Sequence, residues 1–138
     1  MTKKAPHGGR KGDFSMTFWI LHACAAALIP VLMLIVGWLM HKHCPRRINS
    51  ILGYRTAASK KNEETWQFAN TYFGKLYERI GLISLIPSVV ILLPFLHSSR
   101  DVIESMTSTV AILQVALLLL PILQTEKAIR KQFSEEKK

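Results

Sequence analysis

Apolar residues in this chain fall into three long blocks, and polar residues are nearly excluded from each. The first runs from about Met16 to Met40 without an Asp, Glu, Lys or Arg. As a helix rising 1.5 Å per residue it would measure about 37 Å, enough to cross a hydrocarbon core of roughly 30 Å with some tilt. The second runs from Ile80 to Leu96 (IGLISLIPSVVILLPFL), at the short end of the spanning range, and the third from about Met106 to Leu123. None shows the polar stripe of a water-soluble bundle helix. The pattern predicts an all-α polytopic membrane protein with three transmembrane helices, at about 16–40, 80–96 and 106–123.

Between the first two blocks lies a connector with periodicity of its own. Pro45 and the pair Arg46-Arg47 mark the end of span one, and Asn49 to Thr56 reads as a turn opened by Gly53. From Asn62 the spacing becomes helical. Asn62 is a plausible N-cap, and Glu63 and Glu64 fall in the first turn, where the helix dipole favours anions. Trp66, Phe73, Tyr77 and Ile80 recur on one face, and Phe68, Tyr72 and Leu76 form a neighbouring stripe. That predicts an amphipathic interfacial helix running into the second span.

The spans themselves point to a packed bundle. Prolines at 30, 87, 94 and 121 each free a backbone carbonyl that a neighbouring helix must help to satisfy. Small residues Ala23, Ala25, Ala26 and Ala27 lie in span one, Ser84 and Ser88 share a face of span two, and Gln114 lies mid-way along span three. An interhelical hydrogen bond among these groups is the expected role, since no Asp, Glu, Lys or Arg lies inside a span to provide an ion relay.

Charge sets an orientation. The net charge is +9, and the connector from His41 to Arg79 with the C-terminal tail carries thirteen of the 18 Lys and Arg. The N-terminal tail and Arg100 carry the other five. The positive-inside rule therefore puts the connector and the C-terminus in the cytoplasm and the N-terminus outside. The same rule and anionic headgroups account for the basic charge, so no nucleic-acid partner is expected. The basic flank of the first block fits a signal peptide, but its length and the HKHCPRR sequence that follows do not.

Candidate chemistry changes the picture little. His41, His43 and Cys44 lack the spacing of a structural zinc site and any second cluster, so no metal or cofactor is expected. Cys24 and Cys44 fall at different depths, which argues against a disulfide. His22 lies inside the first span, near its outer end. No Ser/His/Asp, Cys/His or paired-carboxylate arrangement at usable spacing suggests an enzyme.

The connector is more specific than an interfacial helix requires. Its run N-x-x-x-G-Y-R-T-x-x-S-x-x-N-x-x-x-W-x-x-x-N, formed by Asn49, Gly53, Tyr54, Arg55, Thr56, Ser59, Asn62, Trp66 and Asn70, resembles the signature loop of the SdpI/YfhL family of bacterial membrane proteins. Pro121, Glu126, Arg130 and Phe133 resemble the end of the family's last span and its tail. Ile48 and Ala57-Ala58-Ser59 depart from the Pro and Pro-Trp-Thr-like residues of many members. On this reading residues 1–15 are a basic tail, 16–133 an SdpI-like membrane domain with its signature loop at 49–70, and 134–138 a charged tail.

The resemblance implies immunity to a secreted peptide toxin, with the bilayer, the toxin and a cytoplasmic transcriptional repressor held at the membrane as partners. It implies that Arg55 anchors the loop by bonding carbonyls or phosphates, that Trp66 seats the interfacial helix, and that the Asn residues close turns or caps. The same residues could instead serve only to fix the bundle's fold. A small transporter subunit or membrane-assembly factor without a toxin partner is the alternative function. The sequence is silent on oligomeric state.

Overall fold

The computed structural model describes residues 11–134, with side chains from 16 to 133. Within them the chain forms three long helices: α1 at Lys11–Lys42, α2 at Glu63–Val90 and α3 at Arg100–Ser134, with a short 3-10 turn at Leu93–Phe95. All three helices are long and apolar enough to cross a membrane. The protein is thus the all-helical, three-span bundle that the apolar blocks predict. Residues 1–10 and 135–138 of the two tails lie outside the described residues.

The helices outrun the apolar blocks. At 28 residues α2 is about 42 Å long and α3, at 35, about 52 Å, so both project beyond a hydrocarbon core of roughly 30 Å. For α2 the reason is local. Between the cap at Asn62 and Pro87 there is no proline to interrupt the helix, so the amphipathic segment and the second span form one continuous rod. The other end differs from expectation too, because the helix stops at Val90 rather than Leu96. Pro94 instead enters the 3-10 turn near its start, where a missing N–H costs least. The Asn62 cap is realised, its Oδ1 accepting the Thr65 N–H at 2.7 Å.

Helix α1 lies against α2 at unusually close range, and glycine permits it. A Cβ on Gly74 would sit 2.7 Å from the Gly37 carbonyl and 2.7 Å from the His41 amide nitrogen. One on Gly81 would sit 2.9 Å from the Pro30 carbonyl. Close approach at small residues lets dispersion contacts accumulate where lipid removes the hydrophobic drive for helices to associate. The outward faces are apolar, with Leu21, Ile83 and Ile112 among the most exposed side chains.

Polar glue crosses the middle of the bundle. Pro30 cannot donate to the carbonyl of Ala26 four residues earlier, and that carbonyl accepts the Gln114 Nε2 amide from α3 at 2.7 Å. The same Nε2 donates to Ser88 Oγ of α2 at 2.7 Å, so one carboxamide ties together all three helices. Ser84 does not join them, because its hydroxyl turns back to the Gly81 carbonyl of its own helix. Of the four span-one alanines, Ala23 and Ala26 are buried with Leu92 and Val110, and Trp19 and Met106 close that cluster. Trp19 Nε1 also donates to the Leu92 carbonyl at 2.8 Å, pinning the start of α1 to the turn after α2. His22 stays within its own helix, Nδ1 lying 2.9 Å from the Phe18 carbonyl.

Candidate functional site

The connector between α1 and α2 folds over one end of the bundle and uses up most of its own polar groups. Asn49 starts it by accepting the Ile51 and Leu52 N–H groups on Oδ1 at 2.6 and 2.9 Å, a side-chain-closed turn. Gly53 follows with φ of 122°, in the region that side chains disfavour. Space demands glycine there as well. A Cβ on Gly53 would come within 2.6 Å of the Trp66 ring and 2.7 Å of Asn70 Oδ1.

That tight passage delivers Tyr54 into the bundle. Its N–H donates to Asn70 Oδ1, while Asn70 Nδ2 donates to the Trp66 carbonyl at 2.8 Å, so Asn70 staples the loop to α2. The Tyr54 ring packs on Phe73 at 4.8 Å in a cluster with Ala69 and Ile129. Its hydroxyl donates to Glu126 Oε1 at 3.0 Å and lies 3.2 Å from the Ile122 carbonyl, both on α3. Burial, then the hydrogen bond and negative charge of Glu126, push the Tyr54 hydroxyl well above its ordinary pKa. Each effect favours the neutral phenol.

Thr56 and Ser59 close the next turn reciprocally. Ser59 Oγ accepts the Thr56 N–H at 3.0 Å and donates to the Tyr54 carbonyl at 2.7 Å, and Thr56 Oγ1 accepts the Ser59 N–H at 3.2 Å. Trp66 is fully buried, and its Nε1 donates to the Pro45 carbonyl at 2.9 Å, joining the end of α1 to the start of α2. Trp66 therefore faces the protein rather than the lipid interface: the aromatic face of this part of α2 is covered by the loop and by α3. On the neighbouring stripe Phe68 meets Phe133 edge-on at 5.6 Å.

Eight of the nine signature positions are thus accounted for by turns, caps and clasps. Arg55 is the exception. Its side chain is exposed, and no hydrogen bond or ion pair within the described residues engages its guanidinium. Tyr54 turns inward and Arg55 outward at the top of the same loop. Among the described residues no carbonyl accepts a hydrogen bond from Arg55. Exposed Arg46, Arg47, Lys60 and Lys61 surround it in sequence, making the outer face of the loop basic.

Sequence reasoning did not identify three partners of this knot: the Pro45 carbonyl, Ile129 and the Gly37–Gly74 crossing. Glu126 and Phe133 were legible as part of the tail pattern, though not as partners of Tyr54 and Phe68. The HKHC residues do not converge. His41 Nδ1 lies 3.0 Å from the Gly37 carbonyl and 3.3 Å from Glu78 Oε2, His43 packs on Trp38, and Cys44 Sγ points to the Pro45 carbonyl.

The sequence profile of the SdpI/YfhL protein family matches residues 46–125, more than half of the chain, including all nine signature positions. A protein of Bacillus subtilis (strain 168), described as uncharacterized protein YfhL, is 40% identical over 52 residues, covering 38% of this chain and 47% of that protein. The chain spans about half the length of this curated relative in the match. No solved structure matches.

Proposed function

The chain belongs to the SdpI/YfhL protein family, and from that premise we propose that it is a membrane immunity protein conferring resistance to a secreted peptide toxin. It acts without an enzymatic step. The loop faces the cytoplasm, as does the C-terminus, and Arg55 is the group that meets a partner there: a lipid phosphate, or a transcriptional repressor held at the membrane when toxin is present.

The observation that supports this reading is the contrast within the loop. Eight signature residues hold its shape, and the ninth is an exposed cation with no partner among the described residues. Guanidinium groups left outside such a frame suit bidentate recognition of phosphate or carboxylate. A residue needed only for folding would be knitted in, as Tyr54 and Asn70 are.

The experiment is a deletion strain challenged with secreted killing peptides. It should become sensitive to at least one of them, and the intact gene should restore survival. Arg55→Ala should fail to restore it while accumulating in membranes at the normal level, and Arg55→Lys should restore it only in part. Unchanged survival of the deletion strain against every peptide tried would sink the immunity reading and favour a transport or assembly role. Loss of the Arg55→Ala protein from membranes would show that Arg55 supports the fold instead.

A further inference from the structure

Two recesses lie between α2 and α3, and they differ in character. The one at the loop end is a cleft of about 670 Å³ floored by Phe68 and Tyr72, whose rings stack at 5.7 Å, and rimmed by Gln124, Lys127, Lys131 and Gln132 of α3. Deeper in the bundle the other is an apolar groove of about 360 Å³, walled by Ile80, Ile83 and Pro87 on one side and Leu113 and Leu117 on the other. We propose that together they form a binding site for one anionic phospholipid, its phosphate at Lys127 and Lys131 and an acyl chain along the apolar groove.

Three features carry the assignment. The first is charge. Lys127 and Lys131 stand one turn apart, exposed, with no carboxylate paired to either among the described residues. Two ammonium groups side by side attract a phosphate and repel the cationic end of a zwitterionic headgroup, so the site selects net negative charge.

The second is depth. Gln114 lies mid-span and the polar run of α3 begins at Gln124, so the lysines stand at headgroup level, where tyrosine also settles with its ring in the apolar layer and its hydroxyl toward water. The third is length. From Tyr72 to Pro87, one residue before the Ser88 that bonds mid-span Gln114, is fifteen residues of α2, about 22 Å, which matches the roughly 20–22 Å that one leaflet occupies with its headgroups. A polar, cationic head and an apolar trough one leaflet deep together describe an amphiphile. A soluble anion would leave the trough unused, and a wholly apolar ligand would leave the lysines unused.

The test is native mass spectrometry of the purified full-length chain in detergent micelles. The probes are phosphatidylglycerol, phosphatidylcholine of the same acyl composition, and glycerol 3-phosphate. One phosphatidylglycerol should be retained per chain, with phosphatidylcholine retained roughly ten-fold less and glycerol 3-phosphate not retained. Lys127→Gln with Lys131→Gln should lower phosphatidylglycerol retention by roughly ten-fold or more, while Lys60→Gln with Lys61→Gln, an equal charge loss on the same end, should leave it unchanged. Ile83→Trp, which fills the trough without touching charge, should also lower it.

Equal retention of the two lipids on the unmodified chain would overturn the proposal. So would an equal effect of the two lysine pairs, which would mark a diffuse basic face, or retention of glycerol 3-phosphate at the level of the lipid, which would mark a phosphate site without a lipid trough.

Discussion

Gly53 is the residue on which the signature loop turns, for two independent reasons: a φ of 122° and a Cβ position already occupied by Trp66 and Asn70. Gly53→Ala must therefore either move Trp66 from its buried seat or abandon the turn. It should cost about 1–3 kcal/mol, read as a lower unfolding midpoint in detergent. Tyr54 makes a different prediction. Its raised pKa means that the folded state holds the phenolic proton more tightly than the unfolded chain does. The stability this contributes is fully present below the ordinary tyrosine value of 10.0 and is lost as pH rises above it toward the folded value. The stability difference between the unmodified chain and Tyr54→Phe should accordingly be constant from about pH 7 to 9 and shrink above about pH 10, measured by thermal unfolding across that range. A difference that stayed constant to pH 11 would show that Glu126 and burial do not act on this hydroxyl. At this scale the local chemistry was legible in the sequence and the distant chemistry was not. Asn62 as a cap and Gly53 as a turn follow from their neighbours, whereas Tyr54 meets Asn70 sixteen residues away and Glu126 seventy-two away, distances over which one sequence carries no periodic signal.

Among the elements, hydropathy marked each helix but not how the helices touch. The three apolar blocks became α1, α2 and α3 because a bilayer leaves a polar backbone no option but internal hydrogen bonding. Their boundaries shifted where other rules took over: the cap at Asn62 with no proline before Pro87 lengthened α2, and Pro94 shortened its far end. The α1–α2 crossing rests on glycines, which add nothing to an apolar pattern and were invisible for that reason. Gly74→Ala places a methyl group against backbone atoms of Gly37 and His41 that cannot rotate away. It should force the helices apart and cost on the order of 1–3 kcal/mol, observable as faster amide exchange in both helices around the crossing. The polar glue was easier to read, since proline announces a freed carbonyl and Gln114 a donor to fill it. Gln114→Leu removes the bonds to Ala26 and Ser88 and should cost about 0.6–2 kcal/mol, less than the glycine change, because lipid-embedded hydrogen bonds are individually modest.

For the whole molecule, the bundle has two ends of different chemistry, and the fold strengthens the charge argument for orientation. Tyr54 reaching Glu126, and Phe68 meeting Phe133, fasten the connector to the C-terminal end of α3. The eleven described Lys and Arg of these two segments therefore lie at one end of the bundle as a unit, which is the end that the positive-inside rule would place in the cytoplasm. Moving that end across the bilayer would mean translocating a hydrogen-bonded knot together with its charges. With Cys24 and Cys44 changed to Ser, Lys60→Cys on the exposed loop should resist an impermeant thiol reagent in intact cells and react once the membrane is permeabilised. His97→Cys, exposed in the turn between α2 and α3, should react in both conditions. Removing both native thiols keeps the readout clean. Burial already raises the Cys44 pKa and holds it largely as unreactive thiol, only partly offset by its contact with Trp66, whereas Cys24 is exposed on α1. The opposite labelling pattern would place Arg55 and the signature loop outside the cell. The cytoplasmic partner of the proposed function would then be out of reach of Arg55.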